Sequence, residues 1–459
     1  MVAGMVARFV SDRETQTARS EWITARRQGK VMDMTTAPAT FAEPATLKDP
    51  GGEGLRRADA DGARAERRGA PGGRPTAEER TGGRRWGAVA EAGAARVARR
   101  GSRRGRSAFD RRAGAWRSAA VAPAWFASVM GTGVLAVAAE LLPARAAVLD
   151  ALAVGAWGAA SALLVVLVAL AARPADRARW RSYAGEPALG VPPMALMTVG
   201  AATASAGGRV VGDEVALGVA AALWAIGTVA AVVVAVAVPA AMVTRGRPAL
   251  ADASGAWLLP LVAPMVSAAT GARLVAHVPA GEARLDLLLL LYALFGLSLL
   301  PTLLTVAVVW ARLLLHGPGP AERAPALWVV LGPLGQSITA ASLLGAAAAR
   351  AVDGPAAQTL RAFGLVYGLV VWGFAVLWLA LAVVLTRHHA TRDGVPFTAA
   401  WWSFVFPVGT LVTGTSELAV RTGSDALRGA ALALFTMLLA VWATTALRSG
   451  RALLRPRPA

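Results

Sequence analysis

The sequence predicts an all-α polytopic membrane protein, with ten transmembrane helices arranged as five helical hairpins around a central axis. Three observations predict it. Hydrophobic residues make up 56% of the 459-residue chain and charged residues only 16%, against about 25% charged in an ordinary soluble domain. Apolar runs of about 20 residues recur from Ala122 onward, each long enough to cross a ~30 Å hydrocarbon core as a helix. Prolines and glycines interrupt mainly every second run.

The first element is a tail. Residues 1–118 hold 25 basic and 14 acidic side chains and are rich in Arg, Gly, Ala and Pro. So little apolar surface cannot offset chain entropy, and the segment is expected to be a disordered, Arg-rich N-terminal region. The second element, 119–447, is the membrane domain. Its spans are expected at 122–142, 148–172, 189–206, 215–243, 255–278, 285–311, 325–349, 360–386, 398–420 and 427–447. A short basic tail, 448–459, follows.

Arginine sets the expected orientation. With the N-terminal region in the cytoplasm, the connections and C-terminal tail on that side carry fourteen arginines, and those on the other side carry eight. Acidic residues run the opposite way, five against nine. The positive-inside rule therefore favours ten spans with both termini cytoplasmic.

The helix breakers divide the spans into two classes. Helix one carries Gly131-Thr132-Gly133, helix three Pro192-Pro193, helix five Pro260 and Pro264, helix seven Gly332-Pro333 and Gly335, and helix nine Pro407 and Gly409. Among the even helices only Pro239 and Pro301 compare. A proline inside a helix costs about 3 kcal/mol. In a bilayer the freed carbonyl is tolerated only against protein or a wet cavity. The odd helices should therefore be interior, and the even helices, richer in uninterrupted Leu, Val and Ala, should face lipid.

The motifs at these breakers resemble one family. Pro-Ala-Trp-Phe-Ala-Ser-Val-Met-Gly-Thr-Gly at 123–133, Leu-Gly-Pro-Leu-Gly-Gln-Ser at 331–337 and Pro-Phe-Thr-Ala-Ala-Trp-Trp-Ser-Phe-Val-Phe-Pro-Val-Gly-Thr at 396–410 are similar to the first-, seventh- and ninth-helix signatures of the tellurite-resistance/dicarboxylate transporter family. That family includes bacterial, fungal and plant guard-cell members. The resemblance covers roughly 120–447. It implies a quasi-five-fold barrel whose odd helices line a central pore, a homotrimer with one pore per subunit, and anion transport, of small inorganic anions, sulfite or C4-dicarboxylates such as malate. It also implies a bacterial inner-membrane location, an anionic small molecule as substrate, and a phenylalanine on helix nine that occludes the pore.

The match places that phenylalanine at Phe406, with Phe404 as the alternative. Phe406 lies eight residues into helix nine, about 12 Å from its start and near mid-membrane, immediately before Pro407. Phe404, about 200° around the helix, should face away. The expected pore lining comprises Gly131, Thr132, Gly133, Pro192, Pro264, Pro333, Gly335 and Pro407. Trp125, Phe126, Trp257 and Trp328, near the cytoplasmic helix ends, read as interfacial anchors. Glu140, Arg273 and Glu417 are the deepest ionisable groups and fall toward the outer ends. With no central charge, the pattern suits passive passage past backbone dipoles and the hydroxyls of Thr132, Ser337, Thr410 and Thr413 better than a proton relay. A proton-linked permease remains the alternative.

Other chemistries find little support. The chain has no cysteine, which excludes disulfides, thiol catalysis and thiolate metal sites. No cofactor, metal or nucleic-acid partner is expected. A membrane enzyme would need a polar cluster at one face, and only His388, His389 and Asp393 offer one. Gly131-Thr132-Gly133-Val134-Leu135-Ala136 fits a dinucleotide fingerprint in spelling only, because it sits inside a membrane span with no preceding strand. Gly364 and Gly368 allow either close helix packing or chance.

Overall fold

The computed structural model describes residues 122–454, apart from Arg145 and Asp393. The expected N-terminal tail at 1–118 and residues 455–459 lie outside the described residues. Ten helices follow one another: α1 (Pro123–Leu141), α2 (Ala147–Ala171), α3 (Pro187–Val211), α4 (Asp213–Gly246), α5 (Gly255–Gly271), α6 (Glu282–His316), α7 (Ala321–Ala351), α8 (Pro355–Arg392), α9 (Ala399–Thr422) and α10 (Asp425–Leu454). Among the described residues nine are long and apolar enough to cross a membrane, and α5 is shorter. The span expected at 255–278 stops at Gly271 and resumes as a 3-10 turn, Leu274–His277. α10 runs past residue 447, through part of the expected tail. A nine-residue helix, Pro174–Ser182, connects α2 to α3.

The odd helices form a closed ring. α1 packs on α3, α3 on α5, α5 on α7, α7 on α9, and α9 back on α1. Each even helix packs on the odd helix before it, giving five hairpins. Burial separates the two layers. In the most apolar stretch of each helix, 67% of residues are buried in α1 and α3, 94% in α7 and 83% in α9. The figure is 22% in α2, α4 and α8, 28% in α10 and 33% in α6. Exposed Val and Leu on the even helices, such as Val165, Val229, Leu304 and Val370, form the surface that lipid would solvate.

Small residues set how closely the ring closes. A Cβ added to Gly133 would come within 3.0 Å of Thr198, and one on Gly190 would strike the Leu259 carbonyl. Additions at Gly255, Gly335 and Gly409 would strike Ala326, the α9 backbone at Leu411, and Val134. Each of the five seams thus has a glycine where an added side chain would meet the neighbouring helix. Between membrane helices, where lipid competes for apolar contact, such close backbone approach supplies much of the packing. Gly364 of α8 likewise abuts the Ala341 backbone of α7, so the Gly364/Gly368 pair serves packing inside one molecule.

The outer layer is fastened by a repeated polar contact. An indole N–H on an even helix donates to the next odd helix: Trp157 to the Thr203 hydroxyl at 2.9 Å, Trp224 to the Ser267 carbonyl at 3.0 Å, Trp372 to the Thr415 hydroxyl at 3.0 Å, and Trp442 to the Thr132 hydroxyl at 3.2 Å. The contact of α10 with α1 completes this even-to-next-odd pattern around the ring.

Only α7 is broken where the sequence places a break: its first α-helical segment ends at Val329 and the next starts at Leu331, just ahead of Gly332-Pro333. All five odd helices begin with a 3-10 turn: Pro123–Trp125, Pro187–Gly190, Gly255–Leu258, Ala321–Arg323 and Ala399–Phe404. Pro192, Pro260, Pro333 and Pro407 then occupy the first turn of the α-helical segments that start at Val191, Leu259, Leu331 and Val405. At the starts that follow only a 3-10 turn the missing N–H costs little and the fixed φ suits the helix, whereas Pro333 follows the helical turn Ala324–Val329 and interrupts its ladder. True interior prolines are Pro239, Pro264 and Pro301. Gly131 and Gly133 lie within an unbroken helix, Phe126–Leu141.

Candidate functional site: a cavity on the axis of the ring

The starts of the odd helices touch one another in the same cyclic order as the helices themselves. They form one face of the ring, rich in Trp125, Trp257, Trp328, Trp401 and Trp402, here the aromatic face. The far ends of the same helices carry Glu140, Arg209, Glu417 and Arg421, and form the charged face.

Between the two faces lies a cavity of about 40 Å³, room for about three waters at ~10–15 Å³ each. All five odd helices line it. α1 gives Val134, Val137 and Leu141, and α3 gives Thr198 and Ala201. α5 and its extension give Val266, Ala269, Thr270 and Arg273; α7 gives Gln336, Thr339 and Leu343; α9 gives Phe406 and Thr413. The wall is mostly apolar, with a few polar groups. Thr339 and Thr413 share a hydrogen bond of 2.8 Å across the α7–α9 seam. Arg273 is the only ionisable residue among those lining the cavity. The charged-face carboxylates are shared among arginines: Glu140 pairs with Arg209, which also reaches Asp150 at 3.3 Å, Glu417 lies 3.9 Å from Arg421, and both glutamates also interact with the Arg273 charge.

The two candidate phenylalanines go separate ways. Phe404 ends the 3-10 turn and Phe406 stands in the α-helix that follows. Two residues turn the side chain by about 200° in an α-helix and about 240° in a 3-10 helix. Phe406 lines the axial cavity and is 5% exposed. Phe404 turns toward α8 and α10, edge-on to Trp328 at 5.3 Å and Trp401 at 5.5 Å.

Of the other residues expected to line a pore, none is among those lining this cavity. Gly131 faces Trp402 and Val405, and Gly133 faces Thr198. Thr132 accepts the Trp442 indole, so its hydroxyl is turned outward to α10. Gly335 meets the α9 backbone, and Pro407 lies 3.8 Å from where a Cβ on Gly332 would stand. Pro192 and Pro333 are in first helical turns, and Pro264 is buried inside α5. Among the expected hydroxyls, Thr413 lines the cavity. Ser337 and Thr410 donate to the carbonyls of Leu334 and Pro407.

Two further readings change. Trp328 and Phe126 are not interfacial anchors, since both are buried. Trp328 donates to Thr386 at 2.9 Å, and Phe126 packs edge-on to Trp180. Arg273 is the residue the sequence undervalued. A charge near a span end reads as interfacial, but α5 ends early, and the 3-10 extension holds Arg273 on the cavity wall. His388 and His389 stack edge-on at the end of α8, and Asp393 is outside the described residues. Among the described residues no cluster of His, Cys, Asp or Glu could hold a metal.

Sequence comparison agrees with this architecture. Residues 120–449 match the voltage-dependent anion channel family. One uncharacterised transporter of Methanocaldococcus jannaschii is 25% identical over 71% of this chain and 91% of its own length. A second from the same organism is 24% identical over 49% of this chain and 64% of its own. A sulfite efflux pump of Trichophyton rubrum is 29% identical over 43% of this chain and 53% of its own. The chain thus spans between about half and nine-tenths of the length of these relatives. A closed ring of five buried helices, an outer layer of five exposed ones and a match across the whole of both place the chain in the voltage-dependent anion channel family.

Proposed function

We propose that the chain carries small anions across the bilayer through the axis of the ring, and that the Phe406 side chain gates the path. The observation that carries this reading is the axial cavity, walled by all five odd helices, with Phe406 and Arg273 on its lining. An apolar ring obstructs an ion because the ion would have to shed water to pass it. The Arg273 guanidinium shares its charge with Glu417 and Glu140, which lie outside the lining, and beside the hydroxyl and amide dipoles of the wall it would favour an anion over a cation. No lining residue is a carboxylate or a histidine, so the wall offers no group suited to relaying protons, and this favours passive flow over proton-coupled transport.

The path is complete within one chain, because the ring closes on itself. A homotrimer, as the family resemblance implies, would therefore hold three separate pores. Both described ends belong to the aromatic face, which we assign to the cytoplasm from the arginine excess there. A reporter fused after Ala459 should be active only in the cytoplasm; activity only outside would reverse the assignment. Chloride, nitrate, sulfite and malate fluxes into liposomes containing the full chain test the substrate class. The reading expects uptake of at least one anion above protein-free liposomes, and uptake of none would overturn it. The sulfite pump among the relatives makes sulfite the first anion to try.

A further inference from the structure

A second hollow lies off the axis. It is a groove of about 410 Å³ at the aromatic face, between the end of α8, the start of α9 and the last turns of α10. That volume falls within the ~300–1,000 Å³ typical of small-molecule sites. Its wall is largely apolar, with Ala390, Val395, Phe404, Ala440 and Val441 among its members. α8 and α10 both belong to the exposed outer layer, so the groove lies on the outer side of the ring rather than on its axis.

Of the polar residues in this wall, Thr386, Thr444, Thr445 and Arg448, the last two bear on an occupant. Arg448 is exposed, and its guanidinium lies over the Trp401 ring at 4.4 Å from the centroid. Thr445, one turn earlier on α10, is 1% exposed, lines the groove, and its hydroxyl has no hydrogen-bond partner. A buried hydroxyl left unpaired is costly. An occupant with an oxygen acceptor would recover that cost. We propose that the groove binds one anionic phospholipid, with an acyl chain along the apolar wall, an ester oxygen at Thr445 and the phosphate at Arg448.

Charge and position select this occupant. The groove lies on the outer side of the ring, its only ionisable lining residue is cationic, and Arg448 stands on the face with the arginine excess. A basic side chain near the membrane surface strengthens binding to anionic lipid by about fivefold. A seated lipid would touch Trp401 and Phe404, in the 3-10 turn that leads into Phe406. The proposal concerns binding alone, so it stands or falls separately from the transport reading.

Native mass spectrometry of the full chain, with phosphatidylglycerol or phosphatidylcholine added, tests it. Wild type should retain one phosphatidylglycerol about fivefold more tightly than phosphatidylcholine. Arg448→Gln should lose that preference, and Arg428→Gln, at the other end of α10, should keep it. Ala440→Trp should fill the groove and remove the bound lipid, with an unchanged melting temperature showing that the fold survives. Equal retention of the two lipids by wild type, or undiminished preference in Arg448→Gln, would overturn the proposal. So would an Ala440→Trp chain that loses its oligomeric state yet keeps its lipid, because the groove would then be an interface between copies.

Discussion

The inner ring and the outer layer are built from the same small apolar alphabet, yet they solve different problems. The ring helices are mostly buried, enter through 3-10 turns, and approach one another at glycines. The outer helices run mostly as uninterrupted helix, face outward along Leu and Val, and touch the ring through indole hydrogen bonds. In the ring, geometry is held largely by the absence of side chains; on the lipid-facing side of the outer layer, by their presence. Adding bulk should therefore be ruinous at the ring seams and harmless on the outward faces of the outer helices.

The largest contrast should come from adding the same side chain to each layer. Gly335→Val would push a branched side chain into the α9 backbone, whereas Gly155 on α2 has nothing within 4 Å of an added Cβ. Overpacking costs about 1–3 kcal/mol even where neighbours can shift, and backbone yields less than a side chain. Gly335→Val should give almost no monodisperse protein on size exclusion, and Gly155→Val should match wild type. Equal yields would mean that the seams are looser than the ring geometry requires.

The next contrast is between the two sides of α9. Phe406→Ala should raise anion flux about tenfold, equivalent to roughly 1.4 kcal/mol off the barrier. Phe404→Ala should leave flux per molecule unchanged and lower stability, since truncating a buried aromatic costs about 3–5 kcal/mol. Liposome flux and thermal melts of the pair separate gate from packing. A rise seen only with Phe404→Ala would exchange their roles.

A smaller effect is expected at the wall itself. Arg273→Gln should lower the anion-to-cation permeability ratio about fivefold, the equivalent of ~1 kcal/mol for one charge at ~4 Å in water-like surroundings. Arg428→Gln, on the outer layer, should leave the ratio unchanged. Bi-ionic potentials read both. The smallest effect belongs to the fastening contacts. Trp442→Phe removes one hydrogen bond to Thr132 and should cost about 0.6 kcal/mol in equilibrium unfolding, the average for interhelical bonds in a membrane protein.

The two layers were not equally legible in the sequence. Ten apolar runs and the odd–even alternation of Pro and Gly were enough to assign each helix to its layer, because both patterns follow from what lipid tolerates. The separation of Phe404 from Phe406 was legible too, since two residues along either helix type turn a side chain to the opposite side. The cavity lining was not. Gly131, Gly133 and Gly335 marked where backbones meet, and a residue with no side chain has nothing to project toward the axis. The projecting groups are Thr198, Gln336, Thr339 and Arg273, ordinary polar residues whose direction depends on helix rotation. Arg273 depended further on α5 ending at Gly271, a boundary the continuous apolar pattern does not mark. The break at Gly332-Pro333 was legible, whereas Pro192, Pro260 and Pro407 stand in first turns because the 3-10 turns ahead of them leave no compositional trace.

The central claim is an anion-selective path along the axis that Phe406 holds shut. The reversal potential of Phe406→Ala, in planar bilayers across a potassium chloride gradient, tests it most directly. Reversal near the chloride potential is the predicted result. Reversal near the potassium potential would contradict the account.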